Sequence, residues 1–135
     1  MSTTLDHYMF PLVNPLVHNH PPGEHPKVVC LCGSTRFWET FTEASLEETL
    51  KGNIVLSIGA ASGTDDMHFG NMDPDEYNDV KEALDRLHLW KVFMADEVLI
   101  LNVDSYIGKS TEREMNYAIS LKKPVRFWEP RYHPE

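Results

Sequence analysis

Cysteine is scarce: the 135-residue chain holds two, Cys30 and Cys32, too few for a disulfide framework. Neighbours two apart on a strand share a face but rarely bond to each other. A reducing, cytoplasmic setting is therefore expected. No apolar run approaches the roughly 18–20 residues that cross a bilayer. No basic flank followed by an apolar stretch marks the first residues, so no secretory signal is expected. Positive charge is also short. Lys+Arg is 12 against Asp+Glu 21, a net charge of −9. That field repels polyanions, which argues against a nucleic-acid polymer or an anionic membrane as partner. A small phosphate held by one local arginine stays compatible with it. The dinucleotide glycine pattern and the P-loop Gly-Lys-Ser/Thr pattern are both missing, which disfavours NAD enzymes and nucleoside triphosphatases. Without a Gly-x-Ser-x-Gly elbow, a serine hydrolase is disfavoured as well. No internal repeat and no low-complexity segment occurs.

What is present divides into two parts. Residues 1–26 carry five of the nine prolines (Pro11, Pro15, Pro21, Pro22, Pro26) with His7, His18, His20 and His25. Proline at that density blocks helix and central strand, so this reads as an extended arm. Its apolar residues, among them Tyr8, Phe10, Leu12 and Leu16, suit packing on the domain or on a neighbouring subunit. The globular domain is expected over 27–135. Val28–Cys32 is a continuous apolar run, as in a strand buried on both faces. Phe37, Phe41, Ala44 and Leu50 fall near helical spacing, and Gly52-Asn53 stops that helix. Ile54–Ile58 reads as a second strand. Residues 59–74 form a long loop rich in Gly, Ser, Asp and Asn, a length that hints at a binding or lid role. Tyr77, Val80, Leu84, Leu87, Lys91 and Met94 mark a helix from Asp75. Glu97–Val103 reads as a third strand, 104–109 as a turn, Thr111–Leu121 as a third helix and Val125–Trp128 as a last strand.

Strict alternation of strand and helix predicts one parallel sheet with helices on both faces, an α/β Rossmann-like fold. Right-handed crossovers favour the flavodoxin-like strand order 2-1-3-4. In such a sheet the ligand crevice lies beyond the carboxyl ends of the strands where the winding reverses, here strands 1 and 3. The segments after those strands, Gly33–Arg36 and Asp104–Glu114, are the most suggestive of the chain.

Gly33 lets the backbone turn and approach a ligand, and the next amides open a helix whose N-terminus attracts anions. Ser34 and Thr35 can donate hydroxyls, and Arg36 can donate a bidentate pair to phosphate. A small phosphate site is one reading; an N-cap followed by a solvated arginine is the other. In the second segment Thr111 and Glu114 match a capping box. The alternative turns Glu114 into the crevice as nucleophile or general base, with Tyr117 on the same helical face to orient it. Glu112 points about 200° away from Glu114, so at most one of the two faces the crevice.

Gly-Ser-x-Arg after strand 1, Ala95-Asp96 before strand 3 and Glu114-x-x-x-Ala118 in the helix after it resemble the nucleoside 2-deoxyribosyltransferase superfamily. The stretch from Ile107 to Val125 is similar to uncharacterised bacterial and phage members, and the likeness spans about 27–129. The nearer branch is that of the nucleoside 5′-monophosphate N-glycosidases, whose Gly-Ser-x-Arg loop holds the phosphate. The resemblance implies that Glu114 attacks C1′ of the sugar and expels the base. It implies a small-molecule nucleotide as partner, no cofactor, and a homodimer or larger homo-oligomer. The oxocarbenium character that develops at C1′ is what a carboxylate stabilises by charge and can trap covalently. An aspartate expected near the end of helix 2 has no clear counterpart. Asp85 is the nearest acid, and His88 has a suitable ordinary pKa to act as the acid instead, although a helix histidine is more often a surface or packing residue. Two rival readings stand beside the hydrolase: a deoxyribosyltransferase, and a nucleotide sensor that binds without cleaving and uses Glu114 only as a cap.

Further candidates are weaker. Gly59, Asp65, Asp66 and His68 in the long loop and Ser110 and Thr111 at the third helix are expected to contact ribose, base or phosphate. A solvated acidic loop is the plainer account of the first set. Trp38 and Phe69 can stack on a base but are more often core. Cys30 and Cys32 suggest a metal pair. A buried strand is a poor scaffold for one and no matching Cys/His pair comes after it, so they read as core and no metal site is expected. His18, His20 and His25 offer only a weak surface alternative.

Overall fold

The computed structural model describes residues 24–59 and 69–130. The Pro-rich arm before residue 24 and the loop candidates Asp65, Asp66 and His68 lie outside the described residues.

Four parallel strands, β1 (Val28–Cys32), β2 (Ile54–Leu56), β3 (Glu97–Ile100) and β4 (Val125–Phe127), form one sheet in the order β2-β1-β3-β4. This is the order expected from right-handed crossovers. Register pairs Cys32 with Ile100 and Ile100 with Phe127, so the strand tips align at one end of the sheet. Helix α1 (Trp38–Leu50) covers one face; α2 (Pro74–Met94) and α3 (Lys109–Ser120) cover the other. Strand alternation therefore sorts the core into two layers. Val29, Leu31, Leu99 and Leu101 pack with Phe41 and Ala44 of α1. Cys30, Cys32, Val98 and Ile100 pack with Val92, Ala95 and Ala118 on the α2–α3 side. β1 and β3 are buried on both faces, which is why β1 and the Val98–Ile100 part of β3 are unbroken apolar runs.

Local chemistry fixes the element ends. Asp73 caps α2, its carboxylate accepting from the Asp75 amide at 3.2 Å with Pro74 in the first turn. The Lys123 ammonium closes the other end of α2, donating to the carbonyls of Val92, Phe93 and Ala95. Asp96 joins strand starts rather than facing the crevice: its carboxylate accepts from the Val28 amide at 2.8 Å.

Several boundaries differ from the sequence reading. β3 ends at Ile100 rather than Val103 because the buried Asn102 side chain takes over the pairing. Its Nδ2 donates to the Glu129 carbonyl at 3.0 Å and its Oδ1 accepts from the Glu129 amide at 2.9 Å. β2 stops at Leu56. A 3-10 turn, Thr35–Phe37, precedes α1. α3 begins at Lys109, two residues before the expected Thr111. No helix among the described residues is long and apolar enough to cross a membrane.

Candidate functional site

The strand tips of β1, β2 and β3 open into a cavity of about 780 Å³. Gly33, Ser34, Thr35 and Arg36 line it after β1, Ile58 and Gly59 after β2, and Tyr106 with Gly108–Thr111 after β3. Lys81, Asp85, His88 and Lys91 of α2 and Glu114 of α3 complete the wall. The two segments singled out in the sequence thus share one cavity, although about 70 residues separate them along the chain. Phe69 also borders it, whereas Trp38 does not. Tyr117 does not either; it is half-buried against the α2–α3 core layer and so stands apart from the cavity.

The loop after β1 is shaped by contacts rather than by a left-handed backbone. A side chain at Gly33 would meet Leu101 Cβ at 3.1 Å, its carbonyl at 3.3 Å and the Phe41 ring at 3.4 Å. A larger residue there would push Leu101 or Phe41 aside by a few tenths of an ångström, so glycine lets the loop pack closely on β3 and α1. The Ser34 hydroxyl accepts from the Arg36 amide at 3.3 Å, and the Phe37 amide bonds back to the Ser34 carbonyl at 2.9 Å. These bonds tighten the 3-10 turn and send Arg36 outward at the cavity wall. Among the described residues nothing comes within 4 Å of a side chain built at Gly59.

Tyr106 was not singled out from the sequence. Its ring lies under the Arg36 guanidinium, 4.4 Å from Cζ to centroid, and packs edge-on against Phe37. The turn that delivers it is strained: Asp104 and Ser105 have φ of 53° and 66°. The Asp104 amide is held by the Glu129 carboxylate at 3.1–3.2 Å. An aromatic in the turn beyond a crevice strand was the available signal. Lys81, Lys91 and Lys109 were missed as well; with Arg36 they line the cavity with lysine and arginine side chains in a chain of net charge −9. Lys91 is tied to the Ser57 carbonyl at 2.6 Å.

The expected capping box is not formed. Gly108 is the N-cap of α3 and makes no side-chain cap bond. With the helix starting earlier, Thr111 lies within its first turn and is buried, and Glu114 turns inward, 8% exposed. Its Oε1 lies 4.0 Å from His88 Nε2 on α2. Burial pushes the Glu114 carboxyl up to about 7, against the pull of His88 and with the help of Cys30 and Asp85. Burial opposes charge on His88, but the Cys30 thiol and the Glu114 charge outweigh it and raise its pKa. Asp85 pairs with Arg113 at 3.8 Å at the rim. Glu112 is exposed on the opposite side of α3.

Beneath this pair the two free cysteines sit fully buried. His88 Nε2 is 3.6 Å from Cys30 Sγ, 3.5 Å from Cys32 Sγ and 3.0 Å from the Leu31 carbonyl. The sequence reading found no Cys/His pair to match these two cysteines; a single histidine, His88 of α2, 56 residues after Cys32, meets them instead. The Cys32 thiol bonds to Cys30 and draws it down to about 6; the same bond and burial hold Cys32 well above its ordinary value.

No family model matches the chain, and no curated protein matches it. The chemistry open to the cavity is set by its own residues.

Proposed function

We propose that the protein hydrolyses the N-glycosidic bond of a ribo- or deoxyribonucleoside 5′-monophosphate. The observation that carries this reading is that Arg36, in the loop after β1, and Glu114, a buried carboxyl on α3, line one cavity. Its volume suits a nucleotide-sized ligand, within the roughly 300–1,000 Å³ usual for such sites. Arg36 takes the phosphate, with Ser34 and Thr35 beside it and Lys109 across the mouth. Remote binding of the anion then positions the sugar over Glu114.

Glu114, as the carboxylate, attacks C1′. The C1′–N bond breaks with its electron pair going to the base, and His88 as imidazolium supplies the proton the base needs. Water then attacks C1′, giving its proton to the now neutral His88, and the C1′–O bond to Glu114 breaks, releasing the carboxylate and the sugar phosphate. The raised pKa values of Glu114 and His88, side by side in a cleft, are the pattern expected of an acid–base pair. The resemblance of Gly33–Arg36 and Glu114–Ala118 to the nucleoside 2-deoxyribosyltransferase superfamily supports the same assignment. The protein is proposed to act as a homodimer or larger homo-oligomer, with no cofactor in the reaction.

The test is release of free base from a panel of nucleoside monophosphates, with Glu114→Gln and Glu114→Ala beside wild type. Release by wild type alone is expected. Binding without release by wild type would instead make the molecule a nucleotide sensor. A new nucleoside formed on adding a second free base would make it a transferase.

A further inference from the structure

We propose that Cys30, Cys32 and His88 form a binding site for a borderline-soft divalent cation of the zinc class, open towards the cavity at Glu114. The proposal stands on geometry and does not depend on the glycosidase reading. The ligand atoms, two thiol sulfurs and one imidazole nitrogen, all lie within 4.8 Å of one another. Zinc–sulfur and zinc–nitrogen bonds of about 2.3 and 2.05 Å at a tetrahedral angle place sulfur and nitrogen about 3.6 Å apart. The observed separations from Nε2 are 3.6 and 3.5 Å. The donor set is also selective. Thiolate and imidazole together suit zinc-like ions and reject magnesium and calcium, which take oxygen.

The fold explains how a strand can supply two ligands. Cys30 and Cys32 alternate onto the α2–α3 face of β1, and His88 reaches between them from the last turns of α2. Three buried ligands leave a fourth position. Glu114 Oε1, 4.0 Å from Nε2, borders it. A tetrahedral oxygen ligand would sit about 3.3 Å from that nitrogen, so a side-chain shift of roughly 0.7 Å, or one bridging water, closes the shell. Loading exchanges protons for the ion. Both sulfurs bind as thiolates, so Cys32 gives up its proton, and His88 gives up the proton on Nε2 that faces the Leu31 carbonyl, keeping Nδ1 protonated and freeing the Nε2 lone pair. A metal-bound His88 cannot donate a proton to a leaving base, so the loaded form lacks the acid used in the proposed reaction.

The test is titration of the reduced, chelator-stripped full chain with Co²⁺, followed by displacement with Zn²⁺. One equivalent should produce an intense near-ultraviolet thiolate-to-cobalt band and visible bands of tetrahedral intensity. Because the chain holds only two cysteines, any such band must come from Cys30 and Cys32. Cys30→Ser and Cys32→Ser should each weaken the band, and His88→Ala should lower Co²⁺ affinity roughly tenfold or more. Circular dichroism of each variant checks that it is folded. Wild type that shows no thiolate band overturns the proposal whatever the variants do. So does a folded His88→Ala protein that binds as tightly as wild type. Base release, measured separately on stripped protein, keeps the fate of this site distinct from that of the glycosidase reading.

Discussion

The guanidinium of Arg36 rests on the ring of Tyr106, and its Nη2 donates to the Tyr106 hydroxyl at 3.5 Å. The pair links the loop after β1 to the turn after β3 across the mouth of the cavity. An exposed arginine is otherwise free to sample many rotamers, and the stacked ring restricts it to the cavity mouth, where the proposed reaction needs a phosphate clamp. Arg36→Ala should lower kcat/KM for a nucleoside monophosphate by roughly 10–100-fold, the worth of a charge-assisted hydrogen bond. It should change the value for the unphosphorylated nucleoside little. Tyr106→Phe keeps the stacking and should cost less than Tyr106→Ala. Steady-state kinetics on matched nucleotide and nucleoside substrates checks both; equal losses on the two substrates would remove Arg36 from phosphate binding.

Glu114 is where chemistry and stability oppose each other. Its carboxyl is raised from 4.5 to about 7 by burial. The folded protein therefore binds a proton more tightly there than the unfolded chain does. Stability from this group is full below about pH 4.5 and is lost as pH rises through about 7. Glu114→Gln mimics the protonated form. At pH 8 the metal-free variant should be more stable than wild type, by on the order of 2 kcal/mol, and the gain should vanish near pH 4. Base release should fall about a thousandfold or more. Thermal melts across pH in the presence of a chelator, beside the activity assay, check the two signs together.

The sheet was legible because each buried strand announces itself. Val28–Cys32 and Val98–Leu101 are unbroken apolar runs, and Gly52 and Pro124 mark where the helices before β2 and β4 have ended. The two crevice segments were legible because topology alone brings the tips of β1 and β3 together. Glu114 carried two readings, and the one that failed was local. A capping box depends on where the helix starts, and with Gly108 as N-cap it starts two residues early. Tyr106 was missed because its position depends on left-handed backbone at Asp104 and Ser105, neither of which is glycine. The convergence of Cys30, Cys32 and His88 was missed because it depends on the phase of α2 against β1, which no local pattern encodes.

At the opposite end of the sheet a charged network closes the α1 face. Arg126 Nη2 lies 2.8 Å from Glu48 Oε1, and its Nε bonds to Glu97. Lys51 and Asn53 also reach Glu48, at 3.1 and 3.0 Å. Burial resists charge on Glu48, but Arg126, Lys51 and Asn53 outweigh it and hold the carboxyl below its ordinary value. This stability is present above the ordinary carboxylate pKa and is lost as pH falls through the lowered one. Arg126→Met leaves two buried carboxylates short of a partner and should destabilise by about 2 kcal/mol at pH 7. The deficit should shrink in acid, as the Glu48 carboxylate takes up a proton. Urea melts at pH 7 and pH 3.5 check it; an equal deficit at both would mean that packing, not charge, sets the loss.

The outer face of α2 carries an apolar stripe beside the site. Leu84, Leu87, Trp90, Phe93 and Met94 are 41–65% exposed, with Trp90 and Phe93 packed edge to face at 5.7 Å. An exposed apolar patch of this kind marks an interaction surface more often than a free one. Leu84 and Leu87 also line the cavity, so the stripe runs into the site. A second copy laid on this face would exclude water from the cavity wall as it buried the stripe. Self-association through α2 is therefore expected to support activity as well as assembly. Sedimentation equilibrium should give a dimer or larger species for wild type. Leu87→Glu with Trp90→Glu should yield a folded monomer with lower base release. Wild type that stays monomeric at every concentration would leave the stripe without this role.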